Sequence, residues 1–238
     1  MSVVTRARFM GRSVATRKVV TYRRDNFTGF VPSRKNGRVI QYESLLERDY
    51  IQLLEADPGV VAYSEQPTPL KWSDGVSSYE TTFDFCVVSN LSGKYLSEVK
   101  PLSKVIKHRL HVQYGYAREA AKEQGYDDLE LWTEREIRAF PRLSSAELVV
   151  SGETSFEAMD AQLALLSAIG SIRRLSDCAT IRELRAASNL GAVAYWEIIR
   201  MVARGQLIPV DKAALLDDRA VLRFASSESS NVNGETIQ

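Results

Sequence analysis

The sequence predicts an α/β fold with a mixed sheet flanked by helices, followed by a smaller, mainly helical domain. Two observations predict it: a helix, three strand-like segments, a helix and a strand follow one another, and helical periodicity dominates from residue 155 onward. The 238 residues are 45% apolar, enough to bury a core in one large or two small domains. The sequence contains no run of about 18 apolar residues, so no transmembrane helix is predicted.

The first part of the fold is predicted from apolar spacing and turn residues. Gly and Pro residues recur within residues 1–39, and they predict that this segment is an irregular or extended arm. Asp74-Gly75 and residues 90–93 predict hairpin turns. The elements expected after the arm are a helix over 40–56, strands over 60–72, 79–89 and 94–100, a helix over 104–124, and a strand over 129–133.

The second part reads as three helices followed by a wing strand. The predicted helices cover 156–169, 180–187 and 193–204, and the strand covers 206–210, an order that resembles a winged helix-turn-helix. Ser and Gly in 143–154 favour a spacer there. The expected domains are a basic arm at 1–39, a catalytic domain at 40–150, a helical domain at 151–225 and a disordered tail at 226–238.

Charge is distributed unevenly along the chain. The formal net charge is +1, yet residues 1–40 carry 10 Lys and Arg against one acid, whereas 41–100 carry 4 basic and 10 acidic residues. A basic arm is typical of phosphate binding, and a solvated tail is the alternative. The candidate DNA contacts in the arm are Arg6, Arg8, Arg12, Arg17, Lys18, Arg23 and Arg24.

Two glutamates fall on or beside the apolar side of the first predicted helix. At 100° per residue, Glu43 and Glu47 lie near the stripe formed by Leu46, Tyr50 and the leucines that follow. Carboxylates turned towards a core are costly unless they are paired or bind a metal. Either glutamate is therefore a candidate ligand.

Asp84 and the pair Glu98 and Lys100 carry the strongest chemical signal. Residues 98 and 100 point to the same face of a strand, and the turn at 90–93 can bring Asp84 beside them. Carboxylate oxygens are the ligands that Mg²⁺ prefers, and a nearby lysine can orient or deprotonate a water or stabilise a phosphate. A cross-strand salt bridge on a solvated face is the alternative interpretation.

Five short motifs in order resemble the TnsA endonuclease subunit of heteromeric cut-and-paste transposases, some of which are CRISPR-guided. They are ESLLERD at 43–49, SEQP at 64–67, TFDF at 82–85, EVKP at 98–101 and TEREI at 133–137. The resemblance covers about residues 40–140. The family's Ser-x-x-Glu pattern matches Ser44 to Glu47 and so favours Glu47 over Glu43. Phe83 stands where many relatives have proline.

The resemblance implies a restriction-endonuclease-like fold of the PD-(D/E)xK superfamily, with a winged-helix-like domain after it. The implied catalytic residues are Glu47, Asp84, Glu98 and Lys100, the three carboxylates holding Mg²⁺, for which Mn²⁺ can substitute. The implied activity is hydrolysis of the 5′ ends of the transposon beside a TnsB-type transposase. A TnsC-type ATPase regulator is the expected partner of the C-terminal domain.

The start of the helix after the active-site strand offers further DNA contacts. Lys104, Lys107 and Arg109 are the candidates, with Gln113 and Tyr114 weaker ones, and a solvated helix face is the alternative. Gln66, in the second motif, is another residue that can approach the site. Two cysteines and the lack of an apolar leader favour a reducing, cytoplasmic setting, and the resemblance implies a bacterial one.

Two other functions remain open at this point. A stand-alone nuclease of the same superfamily would cut DNA without a transposase partner. A non-catalytic DNA-binding adaptor would use the same carboxylates structurally. Residues 193–204 offer few side chains suited to base edges, which favours protein contact over base reading in the helical domain.

Overall fold

A computed structural model describes residues 27–154, 159–211 and 214–225. The chain forms two compact units, Met1–Ala139 and Phe140–Gln238. The predicted boundary at residue 150 therefore lies within the second unit. In the described part of the chain, no helix combines the length and apolar character needed to traverse a lipid bilayer.

The first unit is an α/β structure built on a mixed four-stranded sheet, as predicted. Its sheet has the order β3-β6-β7-β8, with β7 and β8 parallel and the other neighbours antiparallel. The helices are α1 (Leu45–Ala56), α2 (Leu102–His108), α3 (Leu110–Glu123) and α4 (Glu134–Ile137). The strands are β1 (Gly29–Ser33), β2 (Arg38–Tyr42), β3 (Val60–Glu65), β4 (Leu70–Ser73), β5 (Ser78–Thr81), β6 (Phe85–Ser89), β7 (Gly93–Val99) and β8 (Asp128–Trp132).

The helix predicted from residue 40 begins later than expected. Residues 38–42 instead form β2, which pairs antiparallel with β1, and Ser44 caps α1 by accepting a hydrogen bond from the Glu47 amide at 3.1 Å. A serine cap satisfies an amide that has no partner inside the helix. Glu43 consequently precedes the helix, and the described end of the predicted arm, from residue 29 to residue 39, lies in the extended strands and the turn of the β1–β2 hairpin.

Two predicted strands are each divided in two. Residues 60–72 form β3 and β4, separated around Pro67, and residues 78–89 form β5 and β6, separated at 82–84. Proline cannot donate to a strand ladder, so the chain leaves the main sheet there. The short hairpin of β4 and β5 turns at Asp74-Gly75 as predicted. The division leaves Asp84 immediately before β6.

The predicted helix over 104–124 is also divided. Arg109 adopts a left-handed conformation, with φ of 50°, and separates α2 from α3. The break changes the direction of the chain after the first two turns. The three cationic candidates near its start therefore precede α3 instead of lying along one continuous helix.

Side chains alternate between two buried clusters along the central strands. Phe85 and Tyr95 belong to a cluster with Tyr50 of α1, whereas the next residues, Cys86 and Leu96, belong to a cluster on the α3 side. Successive residues of a strand point to opposite faces, so α1 and α3 cover the two faces of the sheet. Cys86 is buried among these packing residues.

The second unit contains four helices and a three-stranded antiparallel sheet among its described residues. The helices are α5 (Arg142–Thr154), α6 (Met159–Ile172), α7 (Ile181–Ser188) and α8 (Ala192–Ala203). The strands are β9 (Cys178–Thr180), β10 (Leu207–Pro209) and β11 (Val221–Phe224), in the order β10-β11-β9. The three predicted helices and the predicted strand are present with shifted ends.

The predicted spacer over 143–154 is wrong, because these residues form α5. A Cβ added to Gly152 would lie 2.5 Å from the Cγ2 atom of Ile199 in α8. Glycine is needed at that point because the two helices approach closely, not because the chain is a linker. The buried side chains of Ala146 and Val149 complete this packing.

Candidate active site

The site lies where β6 begins and β7 ends. Phe85 pairs with Ser97 in the antiparallel register, so Asp84 comes beside Glu98. Lys100 follows the last residue of β7, and its amide donates to the carbonyl of Trp132 at 3.0 Å. The hairpin thus brings together the three residues predicted to converge.

The lysine ammonium contacts both carboxylates. Lys100 Nζ lies 3.0 Å from Asp84 Oδ2 and 2.7 Å from Glu98 Oε1. The Val99 amide donates to Asp84 Oδ2 at 2.8 Å, and the Asp84 amide donates to Glu98 Oε2 at 3.2 Å. Glu98 is only 4% exposed. These contacts hold the carboxylates in place. Lys100 forms the ion pairs that the salt-bridge alternative predicts, but Glu98 is buried and does not lie on a solvated face.

Glu47 reaches the site from the first turn of α1. Its Oε2 accepts a hydrogen bond from the Glu43 amide at 2.7 Å, and its Oε1 accepts one from the Ser44 hydroxyl at 2.9 Å. The carboxylate is therefore held at the N-terminal end of its own helix, a favourable position for a negative charge. Burial and the charges of Asp84 and Lys100 are among the causes that shift its pKa, so Glu47 belongs to the same electrostatic group.

Burial and mutual repulsion make the glutamates hard to ionise. Burial first, and then the negative charge of Asp84, raise the pKa of both Glu47 and Glu98 to about 7. Burial alone lowers the pKa of Lys100, but the charges of Asp84 and Glu98 outweigh it and raise that pKa above its usual value. The site consequently holds an ammonium at neutral pH beside carboxylates that would gain from a further positive charge.

Tyr114 is a neighbour of the site that the sequence ranked only as a weak DNA contact. Its hydroxyl donates to Glu98 Oε1 at 3.1 Å, and its ring packs edge-on against Phe83 at 5.4 Å between centroids. Burial and then the charge of Glu98 raise the pKa of its hydroxyl, so it is a donor at neutral pH. The signal available in the sequence was its position on the buried face of α3, shared with Ala117 and Ala121.

The last of the five motifs, at residues 133–137, forms α4 and connects it to the helix that follows the active-site strand. Thr133 and Glu136 form a capping box at the start of α4, and Glu134 Oε2 accepts a hydrogen bond from the Leu102 amide at 2.9 Å. This bond ties α4 to the first residue of α2. Arg138 then bridges at 2.7 Å to the buried Asp49 of α1. Glu134 of the motif thus connects α4 to α2, and Arg138, the residue after the motif, connects this segment to α1.

The carboxylates fit a hard divalent cation by their donor chemistry. Asp84, Glu98 and Glu47 supply only oxygen atoms, which Mg²⁺ prefers. After burial, the negative charge of Asp84 is the next cause of the raised pKa of both glutamates. Within residues 27–154, 159–211 and 214–225, no group of three His, Cys, Asp or Glu side chains has the arrangement of a metal centre.

The predicted DNA contacts fall into two groups. Lys104 and Lys107 of α2 and Arg109 at its end are all exposed. The seven candidates in the arm, from Arg6 to Arg24, lie outside the described residues, as does the predicted tail at 226–238. His108 and His111 are exposed, and no third metal-binding side chain joins them in the described residues.

No family model matches the chain, and no curated protein matches it either.

Proposed function

We propose that the first unit is a metal-dependent DNA endonuclease with a restriction-endonuclease-like fold. The observation that carries the proposal is the meeting of Asp84 and Glu98 at the Lys100 ammonium, where two antiparallel strands bring carboxylates from both sides of a turn together. The mixed sheet with α1 and α3 on its two faces is compatible with that fold.

Asp84, Glu98 and Glu47 would hold Mg²⁺ or Mn²⁺. The ion would lower the pKa of a bound water and neutralise charge on the phosphodiester. Asp84 is held by the Val99 amide and Glu98 by the Tyr114 hydroxyl, so two of the carboxylates are already oriented. Glu47, which accepts from the Glu43 amide and the Ser44 hydroxyl, would be the third.

Lys100 would contribute positive charge rather than act as a base. Its raised pKa keeps the ammonium protonated at neutral pH. A protonated lysine can donate to a non-bridging phosphate oxygen and stabilise the charge that develops as the P–O bond breaks. It can also orient the attacking water, whereas deprotonating that water would require a neutral amine.

The DNA would lie over the start of α2. Lys104, Lys107 and Arg109 are exposed and follow Lys100 within nine residues along the chain. Cations at this position can neutralise phosphates next to the scissile bond. The basic arm would add contacts further along the duplex.

The resemblance of residues 43–137 to TnsA supports a narrower role as the subunit that cuts the 5′ ends of a transposon. That role implies a TnsB-type transposase as partner. The second unit would be winged-helix-like, which its order of α6, β9, α7, α8, β10 and β11 supports. Its expected partner is a TnsC-type ATPase.

A non-catalytic DNA-binding adaptor is the second candidate. One observation favours it: in the described residues Lys100 closes an ion pair with each of two carboxylates, and no three-ligand metal centre is formed. An adaptor would bind DNA but no divalent ion at this place. Direct measurement of Mn²⁺ binding separates the two candidates.

A strand-specific cleavage assay tests the function. End-labelled transposon-end DNA would be incubated with Mg²⁺ and the full-length protein, with and without the neighbouring transposase. Cutting of the 5′ ends only with the transposase supports the subunit role, and cutting by the protein alone supports a stand-alone nuclease. If neither mixture cuts and no Mn²⁺ binds, the adaptor is favoured.

A further inference from the structure

Gln66 is buried beside the site in an unusual backbone conformation. It follows β3 directly, is 8% exposed and has a φ of 45°. For a residue with a side chain, the left-handed region is unfavourable because the Cβ atom crowds the backbone, and a following proline restricts the backbone further. Glycine would adopt this conformation without that cost. The side chain of Gln66 is therefore the feature that needs a reason.

The backbone of Gln66 holds Asp84. Its amide donates to the Asp84 carbonyl oxygen at 2.9 Å. The Asp84 amide donates in turn to Glu98 Oε2 at 3.2 Å. The main chain at Asp84 is thus fixed on one side by Gln66 and on the other by a carboxylate of the site.

The side chain of Gln66 holds the segment before α1. Its Nε2 donates to Glu43 Oε1 at 3.0 Å, and the Glu43 amide donates to Glu47 Oε2 at 2.7 Å. One residue therefore connects the main chain of Asp84 with the segment that orients Glu47. These two candidate ligands come from different elements, and a short chain of hydrogen bonds through Gln66 and Glu43 joins them.

We propose that Gln66 is a positioning residue that sets the Glu47 carboxylate relative to Asp84, acting through Glu43. This inference rests on the proposed metal-dependent function. A neutral amide suits the task, since it donates to Glu43 without adding charge. A lysine would neutralise the carboxylates, and a glutamate would repel Glu43. The left-handed backbone conformation of Gln66 directs its side-chain amide to Glu43 while its backbone N–H donates to Asp84.

Two variants separate the side chain from the backbone. Gln66→Gly allows the positive φ and removes the side-chain amide, whereas Gln66→Met keeps the side-chain volume and removes only the Nε2 donor. We expect both to weaken Mn²⁺ binding about 10-fold, as is usual when a partner of a metal ligand is lost. The Mg²⁺ concentration for half-maximal cleavage should rise by a similar factor. A purely structural role would lower the melting temperature without shifting either metal dependence.

The route through Glu43 is tested with a double-mutant cycle. Glu43→Ala should weaken Mn²⁺ binding like Gln66→Met, and the double variant should be no weaker than either single one. Asn189→Gly is the matched control, since Asn189 also has a positive φ of 55° but belongs to the second unit. It should leave Mn²⁺ binding unchanged.

The outcomes distinguish the inference from the function. If the wild type binds Mn²⁺ and cuts DNA while both Gln66 variants match it, the function stands and the inference is overturned. Additive losses in the cycle overturn the route through Glu43. If the wild type neither binds Mn²⁺ nor cuts, the function fails and the inference fails with it.

Discussion

Two charged clusters in this chain differ in charge balance: one pairs a single acid with a single base, and the other has more carboxylates than cations. In α8 of the second unit, Glu197 and Arg200 are 3% and 2% exposed, and each contacts the other. In the first unit, the single ammonium of Lys100 contacts Asp84 and Glu98, and Glu47 adds a third carboxylate to the electrostatic group. A balanced pair completes a fold, whereas a cluster with excess negative charge is suited to receiving a cation.

The comparison also separates stability from function. Burying ions is expensive, and a matched partner offsets that cost. The α8 pair has this compensation within one helix. The active-site cluster has one ammonium for three carboxylates, and burial together with the negative charge of Asp84 raises the pKa of two of its glutamates to about 7. Destabilising charge retained at one place is typical of functional sites.

The largest expected effect is loss of cleavage when the unbalanced cluster is altered. Asp84→Ala and Lys100→Ala should each lower the cleavage rate by about 10³-fold or more, because the first removes a proposed metal ligand and the second removes the ammonium that stabilises the phosphate. DNA binding in a gel-shift assay should survive. The control is Lys122→Ala, which removes an exposed pair with Glu119. Cleavage at near wild-type rate by both site variants would contradict the assignment.

The balanced cluster should respond in the opposite way. Arg200→Met leaves Glu197 buried with its charge uncompensated and should lower the free energy of unfolding by about 3–5 kcal/mol. Denaturant unfolding measures this loss. The double variant Glu197→Leu/Arg200→Met should regain most of the stability, because no buried charge remains. A fully stable single variant would show that the pair contributes little.

The pH dependence of stability tests the charge excess directly. A carboxyl with a raised pKa favours folding while protonated, so its contribution is lost as pH rises from about 4.5 to about 7. Glu47→Gln should therefore be more stable than the wild type at pH 8, by about 1 kcal/mol, and no more stable at pH 4.5. Adding Mg²⁺ at pH 8 should raise the melting temperature of the wild type more than that of the variant.

A suitable control for this prediction is Glu119→Gln, since Glu119 is exposed on α3. Its stability relative to the wild type should not change between the two pH values. If Glu47→Gln behaves the same way, Glu47 is not part of a charge excess. Thermal unfolding of metal-free protein measures both variants.

The smallest expected effect concerns the exposed cations after the site. Lys104→Ala and Lys107→Ala should each weaken DNA binding a few-fold, and each should reduce the slope of log K against log salt by about 1. Fluorescence anisotropy at several salt concentrations measures both quantities. Unchanged slopes would place the DNA elsewhere and return α2 to a solvated helix face.

The chemically important residues were predictable, but several elements around them were not. Asp84, Glu98 and Lys100 converge because strand alternation and a two-strand turn are local properties that the sequence carries. The helix over 143–154 was missed because its Ser and Gly composition suggested a linker, while its stability comes from packing against α8. The break at Arg109 likewise has no Gly or Pro to announce it.

The sequence by itself determined the helix and strand types around the site, the apolar stripe of α1, and the carboxylate and lysine residues available for chemistry. Those features follow from local periodicity and from the spacing of side chains along a strand. Tertiary structure alone decided that Tyr114 donates to Glu98, that Glu47 accepts from Ser44 and from the Glu43 amide, and that Gln66 connects Glu43 to Asp84. These contacts join residues of different elements or depend on where a helix starts, and burial then sets the charge state of the carboxylates.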